Sequence, residues 1–169
     1  LMNKENLVML NNEKVFKENG NFFLDNLDLK VIPEGLNQFF NVKFIVRKSK
    51  KKGEQNINLK NIDIASNIFS FIFFLIKSFK DNSKYLIISI TPYTFLAYIF
   101  LFIFRKKVYL YLWSDGHEEW EHILGKWSVW IFSLMYHICT FKSEIIVCNK
   151  RLTKKKSHLI SISRLENKW

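Results

Sequence analysis

The chain is poor in the residues that punctuate loops. Five glycines and two prolines among 169 residues are too few for a many-turned all-β fold or a loop-rich module. No Gly-x-Gly-x-x-Gly follows the first apolar run and no Walker sequence occurs, so the commonest nucleotide-phosphate cradles are missing. Cysteine is scarce as well. Cys139 and Cys148 both lie in apolar runs and read as two buried free thiols in a reducing cytoplasm, not as a disulfide framework. No signal peptide is visible, because Leu1 to Asn6 is polar and the apolar run after it is short. Acidic residues are outnumbered, 15 against 26 Lys and Arg, which leaves a net charge of +11. That balance calls for a polyanionic neighbour: nucleic acid, an anionic membrane surface or a phosphorylated substrate. No aromatic-interleaved basic motif or recognition-helix pattern accompanies the charge, so nucleic acid is not expected among the partners.

What the chain has in abundance is apolar residues. They make up 49% of it, with 17 phenylalanines, which is ample for the core of one domain and excludes disorder. Leu7–Leu10 reads as a first strand, Val42–Val46 as a second and Asn56–Ile64 as a weak third. Apolar residues at helical spacing predict a helix within 25–40, interrupted at Pro33-Glu34-Gly35. Asn67–Phe79 is a helix that is apolar on most faces. Tyr85–Ile90 is a strand, followed by Thr91-Pro92, a helix start with a capping oxygen and a proline at the first turn. The helix then runs from Tyr93 to Phe104. Val108–Trp113 is a strand with almost no polar residue, the pattern of a strand buried on both faces in a parallel sheet. A polar, acidic loop follows. Gly125–Cys139 is a helix and Ile145–Cys148 a last strand. Short strands alternating with helices predict an α/β fold: a Rossmann-like three-layer α/β/α arrangement around a mostly parallel sheet.

Tyr85–Phe104 carries no charge and has about the length of a membrane span. Its interior Pro92 behind a Thr cap and its β-branched first half argue instead for a strand and a helix. The apolar helices at 67–79, 93–104 and 125–139 are read as core, with a second role lying on a membrane surface.

In a parallel sheet all strand C-termini share one edge, where open α/β sheets keep their ligands. The first strand delivers Asn11, Asn12, Glu13 and Lys14 there. Later strands deliver Arg47 and Lys48, then Thr91 and Tyr93, then the run from Ser114 to Glu119, and finally Asn149, Lys150 and Arg151. Asp115 is the sharpest candidate: a carboxylate straight after a buried strand, next to Gly116, which permits close approach. It serves equally well as a helix cap. His117 can act as a base near neutral pH or can be an ordinary surface residue. His117 and His122 do not make a zinc motif. They are five residues apart, about 140° around a helix, where the metalloprotease pattern needs i and i+4. No metal site is expected. The runs Lys50–Lys52 and Lys154–Lys156 read as solvated faces that can rest on anionic lipid.

Three stretches, Tyr85–Tyr93, Val108–Gly116 and Glu144–Leu152, occur in an order that resembles the N-terminal half of a GT-B-fold glycosyltransferase of the retaining, glycogen-synthase-like group (glycosyltransferase 4). The resemblance implies that residues 1–160 are a Rossmann-like acceptor-side domain, one half of a GT-B fold. It implies that 161–169 begin an interdomain linker and that the C-terminal domain, which holds the sugar nucleotide, lies outside this chain. Two departures stand out. Asn11-Asn12-Glu13-Lys14 occupies the place of a Gly-rich loop, and the fifth strand ends in Ser114-Asp115-Gly116, with His117 slightly later than the family's usual His.

The expectation is therefore the acceptor-binding domain of a glycosyltransferase of polysaccharide biosynthesis. It would move a sugar from a sugar nucleotide to a cell-envelope saccharide or lipid-linked acceptor, and the fragment alone would be inactive. Asp115 and His117 are the expected catalytic residues. Asn11, Lys14, Thr91, Tyr93, Gly116, Glu118, Lys150 and Arg151 are expected to bind substrate. No cofactor is expected in this chain beyond the donor sugar nucleotide of the full-length protein. Expected partners are the acceptor, the protein's own C-terminal domain and an anionic membrane surface, with a cytoplasmic location peripheral to the inner face of the membrane. The alternative is a non-catalytic α/β module that docks on anionic membrane or acidic partners through its basic rim.

Overall fold

The structure, a computed structural model, describes residues 4–79 and 82–160. The chain opens with a long strand, β1 (Asn6–Glu18), which turns through Asn19-Gly20 into the antiparallel β2 (Asn21–Leu24). Both turn residues have positive φ, 49° and 81°, as a two-residue hairpin turn matched to strand twist requires. Helix α1 (Leu27–Leu36) follows, capped by the Asn26 side chain. Next come β3 (Asn41–Lys48), β4 (Gln55–Ile57), β5 (Ile62–Ala65) and α2 (Ile68–Lys77), and then β6 (Lys84–Ile88), α3 (Pro92–Ile103) and β7 (Val108–Leu112). The chain continues through α4 (Gly116–Leu124), α5 (Ser128–Cys139), β8 (Glu144–Val147), a short 3-10 turn at Lys150–Leu152 and β9 (Ser157–Leu159).

The result is an α/β fold around a mixed, mostly parallel nine-stranded sheet. Seven strands are parallel, in the order β5-β3-β1-β6-β7-β8-β9. β2 pairs antiparallel with the far half of β1, and β4 with β2. From β1 the chain winds one way through β3 to β5, and from β6 it winds the other way to β9. The reversal leaves β1 and β6 as neighbours whose following segments diverge, and that divergence opens a crevice where their pairing ends, after Leu10 and Ile87.

Alternate residues of the strands feed two cores. Val8, Leu10, Ile87 and Leu110 face α2, α3 and α5, which contribute Phe71, Leu101 and Phe132. Leu7, Met9, Ile88 and Tyr111 face the other way, toward Leu29 of α1, β2 and β4. Strands feeding both cores have no polar face, which is why β6 and β7 read as continuous apolar runs.

Several local expectations are corrected. α1 runs straight through Pro33, which sits in the last turn. It forfeits one bond, to the Leu29 carbonyl, but its ring is buried and its own carbonyl accepts from Asn37 N at 3.0 Å. The single weak strand expected at 56–64 is two, β4 and β5, because each pairs with a different neighbour. β1 continues well past Leu10 by shifting register between Leu10 and Lys14. The acidic segment after β7 is helix α4, and β9 was not expected. The apolar stretch 85–104 divides between β6 and α3, with Thr91 and Thr94 forming a capping box at the break. Among the described residues no helix is long and apolar enough to cross a membrane. The stretch read as linker, 161–169, lies outside the described residues.

Candidate functional site

A cleft of about 630 Å³ lies at the register shift of β1 and the C-terminal ends of β6, β7 and β8, where the winding reverses. Its construction starts with Asn11, which is 4% exposed. The Asn11 amide nitrogen donates to the Ile88 carbonyl at 2.7 Å, and its oxygen accepts from Glu13 N at 2.6 Å. One side chain thus ties β1 to β6 and turns the chain so that Asn12 and Glu13 face the cleft. Arg47 of β3 donates to the Asn12 side-chain oxygen at 3.1 Å, and its guanidinium stacks 4.4 Å from the centre of the Tyr93 ring.

Ser89, which leaves β6, adopts φ 65°, a left-handed conformation that a non-glycine residue takes only when its surroundings impose it. The constraint is visible. Its N–H donates to the Tyr111 carbonyl at 3.0 Å, and its own carbonyl accepts from the Thr94 hydroxyl at 2.9 Å. The backbone is thereby turned sharply toward Thr91, which caps α3 at the cleft wall.

Three carboxylates line the cleft: Glu13, Asp28 at the start of α1, and Glu119 of α4. Amides from Asn11, Asn12 and Asn26, the hydroxyls of Ser89, Thr91 and Ser114, and the Trp113 ring supply the rest of its polar and aromatic surface. Among the described residues no Lys or Arg lines it, despite the chain's net charge of +11. Burial pushes the Glu13 carboxyl above its ordinary value, with the charge of Asp25 adding to the rise. Such a surface accepts and donates many directional hydrogen bonds and offers a flat apolar ring, while its charge disfavours a bare phosphate.

The structure divides the expected site residues. Asn11 and Thr91 line the cleft. Asp115, Gly116, His117 and Glu118 do not line the cleft; they stand in the chain between two residues that do, Ser114 and Glu119, at the start of α4. Asp115 caps α4, accepting from His117 N at 2.9 Å, and its oxygen is 3.3 Å from His117 Nδ1. The His117 ring stands edge-on to Phe132, with centroids 4.7 Å apart. Gly116 is there because nothing larger fits: a Cβ at this position would meet the Phe132 ring at 2.1 Å. Glu118 is exposed. Tyr93 lies under Arg47, one step behind the wall. Lys14 is exposed on the continuation of β1, in register with Arg47. Lys150 and Arg151 are exposed on the turn after β8, capped by Asn149, and do not line the cleft.

Glu13 and Glu119 reach the site in the very segments expected to deliver it, yet Asp28, Ser89, Trp113 and Cys148 were not foreseen. Asn26 two residues before Asp28 is a capping signature that could have placed α1's start at the rim. Ser89 carries no sequence signal, since its conformation is imposed by contacts with Tyr111 and Thr94. Among the described residues no group of three or more His, Cys, Asp or Glu side chains is placed to hold a metal ion. Comparison with protein-family models, curated proteins and solved structures finds nothing that matches this chain.

Proposed function

We propose that this chain is the acceptor-binding domain of a sugar-nucleotide-dependent glycosyltransferase, a Rossmann-like half of a GT-B fold that receives a cell-envelope saccharide or lipid-linked acceptor. The observation that carries the reading is the cleft at the reversal of the sheet, lined by amides, carboxylates and hydroxyls around Trp113, with no cation among the described residues. Saccharides are recognised by dense hydrogen bonding to hydroxyls and by stacking on aromatic rings, and this lining offers both. The strand order on either side of β1 supports the reading, since it resembles that of nucleotide-binding α/β domains, in which ligands sit outside the strand C-termini.

In this reading an acceptor hydroxyl lies at the lip beside His117. The imidazole takes the hydroxyl proton as the oxygen attacks the anomeric carbon. The bond from that carbon to the nucleoside diphosphate breaks, and the diphosphate leaves with the electron pair. Asp115 holds the imidazole through Nδ1. Lys14, Lys150 and Arg151, exposed around the rim, supply positive charge toward the departing diphosphate. A separate C-terminal domain holds the donor, and the protein works in the cytoplasm.

The test uses the full-length protein with UDP- and GDP-sugars and reads nucleoside diphosphate release. Asp115→Asn keeps an N-cap oxygen, so α4 should persist by circular dichroism while transfer falls about a hundredfold or more. Transfer unchanged in Asp115→Asn and in His117→Ala would remove both residues from the chemistry. No transfer with any sugar nucleotide would remove the assignment itself.

A further inference from the structure

Helices α2, α3 and α5 lie side by side on one face of the sheet, with α3 between the other two. Their inner residues fill the core, but their outer residues are apolar as well. α2 exposes Phe69, Phe73 and Ile76, the first at 83%. α3 exposes Leu96 and Ile103, and α5 with the turn before it exposes Trp127, Trp130 and Leu134. Within each helix these residues recur three, four or seven apart, so each set is one outward stripe. Solvated monomers do not carry large aromatic and aliphatic side chains on three adjacent helices unless something covers them.

Charge selects what covers them. α2, α3 and α5 contain no Asp or Glu. Cations gather where these helices end: Lys77 on α2, Arg105 and Lys106 after α3, and Lys142 after α5. Each helix runs back against the parallel strands, so these ends share the edge opposite the cleft. There Arg105, Lys106 and Lys142 frame a hollow of about 600 Å³ against Phe102 and Ile103. Lys142 lies 5.3 Å from the Phe102 ring centre, and Lys106 lies 5.4 Å from that of Phe79. None of the ion pairs among the described residues takes any of the three, whereas their neighbour Lys107 is paired with Glu144 at 2.7 Å.

Arg105 adds a second observation. It stands at φ 53° just past α3, where its N–H donates to Phe102 O at 3.0 Å and Lys106 N donates to Leu101 O at 2.8 Å. This helix-ending motif is ordinarily completed by glycine. The chain places a guanidinium on the hollow at a position where backbone energy favours no side chain at all.

We infer that the outer face of α2, α3 and α5 docks on an anionic lipid bilayer, its apolar stripes entering the headgroup–acyl boundary while Arg105, Lys106 and Lys142 engage lipid phosphate. The inference does not depend on the glycosyltransferase reading. It also assigns the membrane contact to the edge away from the cleft rim that carries Lys150 and Arg151.

Flotation with vesicles of three parts phosphatidylcholine to one part phosphatidylglycerol tests it. The wild-type chain should float at low salt and shift its tryptophan emission to the blue, and high salt should release it. Vesicles of phosphatidylcholine alone should hold it far more weakly. Arg105→Gly suits the backbone, so its urea midpoint should stay or rise, while lipid affinity falls about fivefold. Adding Lys106→Gln and Lys142→Gln should bring the loss to about a hundredfold. Phe73→Ser with Trp130→Ser, both at exposed positions, should abolish the emission shift in a folded chain. Equal binding to neutral vesicles, or affinity unmoved in the triple variant, would overturn the inference. So would a concentration-dependent dimer, formed without lipid and lost in Phe73→Ser, which would assign the face to a second copy.

Discussion

The side-chain amide of Asn11 donates to the main-chain carbonyl of Ile88 at 2.7 Å, joining two strands whose residues are 77 positions apart in sequence. Both groups are buried, and the same asparagine accepts from Glu13 N. Removing it orphans a buried carbonyl and an amide together. Asn11→Ala should therefore cost about 1–3 kcal/mol. Urea denaturation checks this: the midpoint should fall with no change in slope. Asn11→Asp keeps the oxygen that Glu13 N needs but loses the donor to Ile88, and it should also be destabilised.

Gly116 and Phe132 are the second pair. A methyl at 116 would overlap the ring, and the overlap falls on a buried side chain between α4 and α5. Gly116→Ala should cost about 1–3 kcal/mol through overpacking. The same change made in a Phe132→Leu background should cost less, because the ring it meets is gone. Thermal unfolding of the four proteins gives the coupling, which should reach about 0.5 kcal/mol or more. Additive effects would show that α4 does not close on Phe132.

Glu13 sets a pH dependence whose sign can be worked out. Burial raises its folded pKa above the ordinary 4.5, so between the unfolded and folded values the native state binds the extra proton. Its contribution to stability is then greatest below the unfolded value and is lost as pH rises through the folded one. Glu13→Gln should be more stable than the wild type at neutral pH, and the difference should vanish toward pH 4. Chemical denaturation across that range measures it. A wild type that gains on Glu13→Gln as pH rises would mean the carboxylate is held ionised by an attraction.

The two cysteines should differ in reactivity. Burial alone pushes the Cys139 thiol up to about 12, and the residue is 1% exposed. Cys148 lines the cleft, half-buried, with its sulfur donating to the Trp113 carbonyl at 3.2 Å. Maleimide treatment of the native protein followed by peptide mass spectrometry should find Cys148 modified and Cys139 spared until the chain is unfolded. An oligosaccharide seated in the cleft should slow the modification of Cys148. Equal labelling of both thiols in the native state would contradict the packing of α5 on β8.

Much of the fold was legible because its signals are local. Thr91-Pro92 announced a helix start, and the structure has Thr91 capping α3 with Pro92 in its first turn. The apolar runs of β6 and β7 announced strands, and that of β7 a strand buried on both faces. Where local rules competed, the weaker one sometimes won. Pro33 did not end α1, since it forfeits a single backbone bond while its ring is buried. Asp115 took the capping role that had stood level with the catalytic one, and in doing so it turned an expected acidic loop into α4. That cap leaves the carboxylate 3.3 Å from the His117 ring, so it does not exclude chemistry at the lip.

By itself the sequence determined the alternation of strands and helices, the Thr91 cap and the edge on which the strand ends gather. These rest on interactions within a few residues and on which side chains avoid water. Only the tertiary structure decided which strand ends meet. The order of β1 and β6, and the register shift after Leu10, bring Asn11, Asp28, Ser89 and Glu119 to one cleft while leaving Lys150 and Arg151 outside it. Strand order depends on pairings between distant segments, whose energies no short stretch contains. The strain at Ser89 and the close approach of Gly116 to Phe132 have the same origin: each is imposed by a neighbour that arrives from another part of the chain.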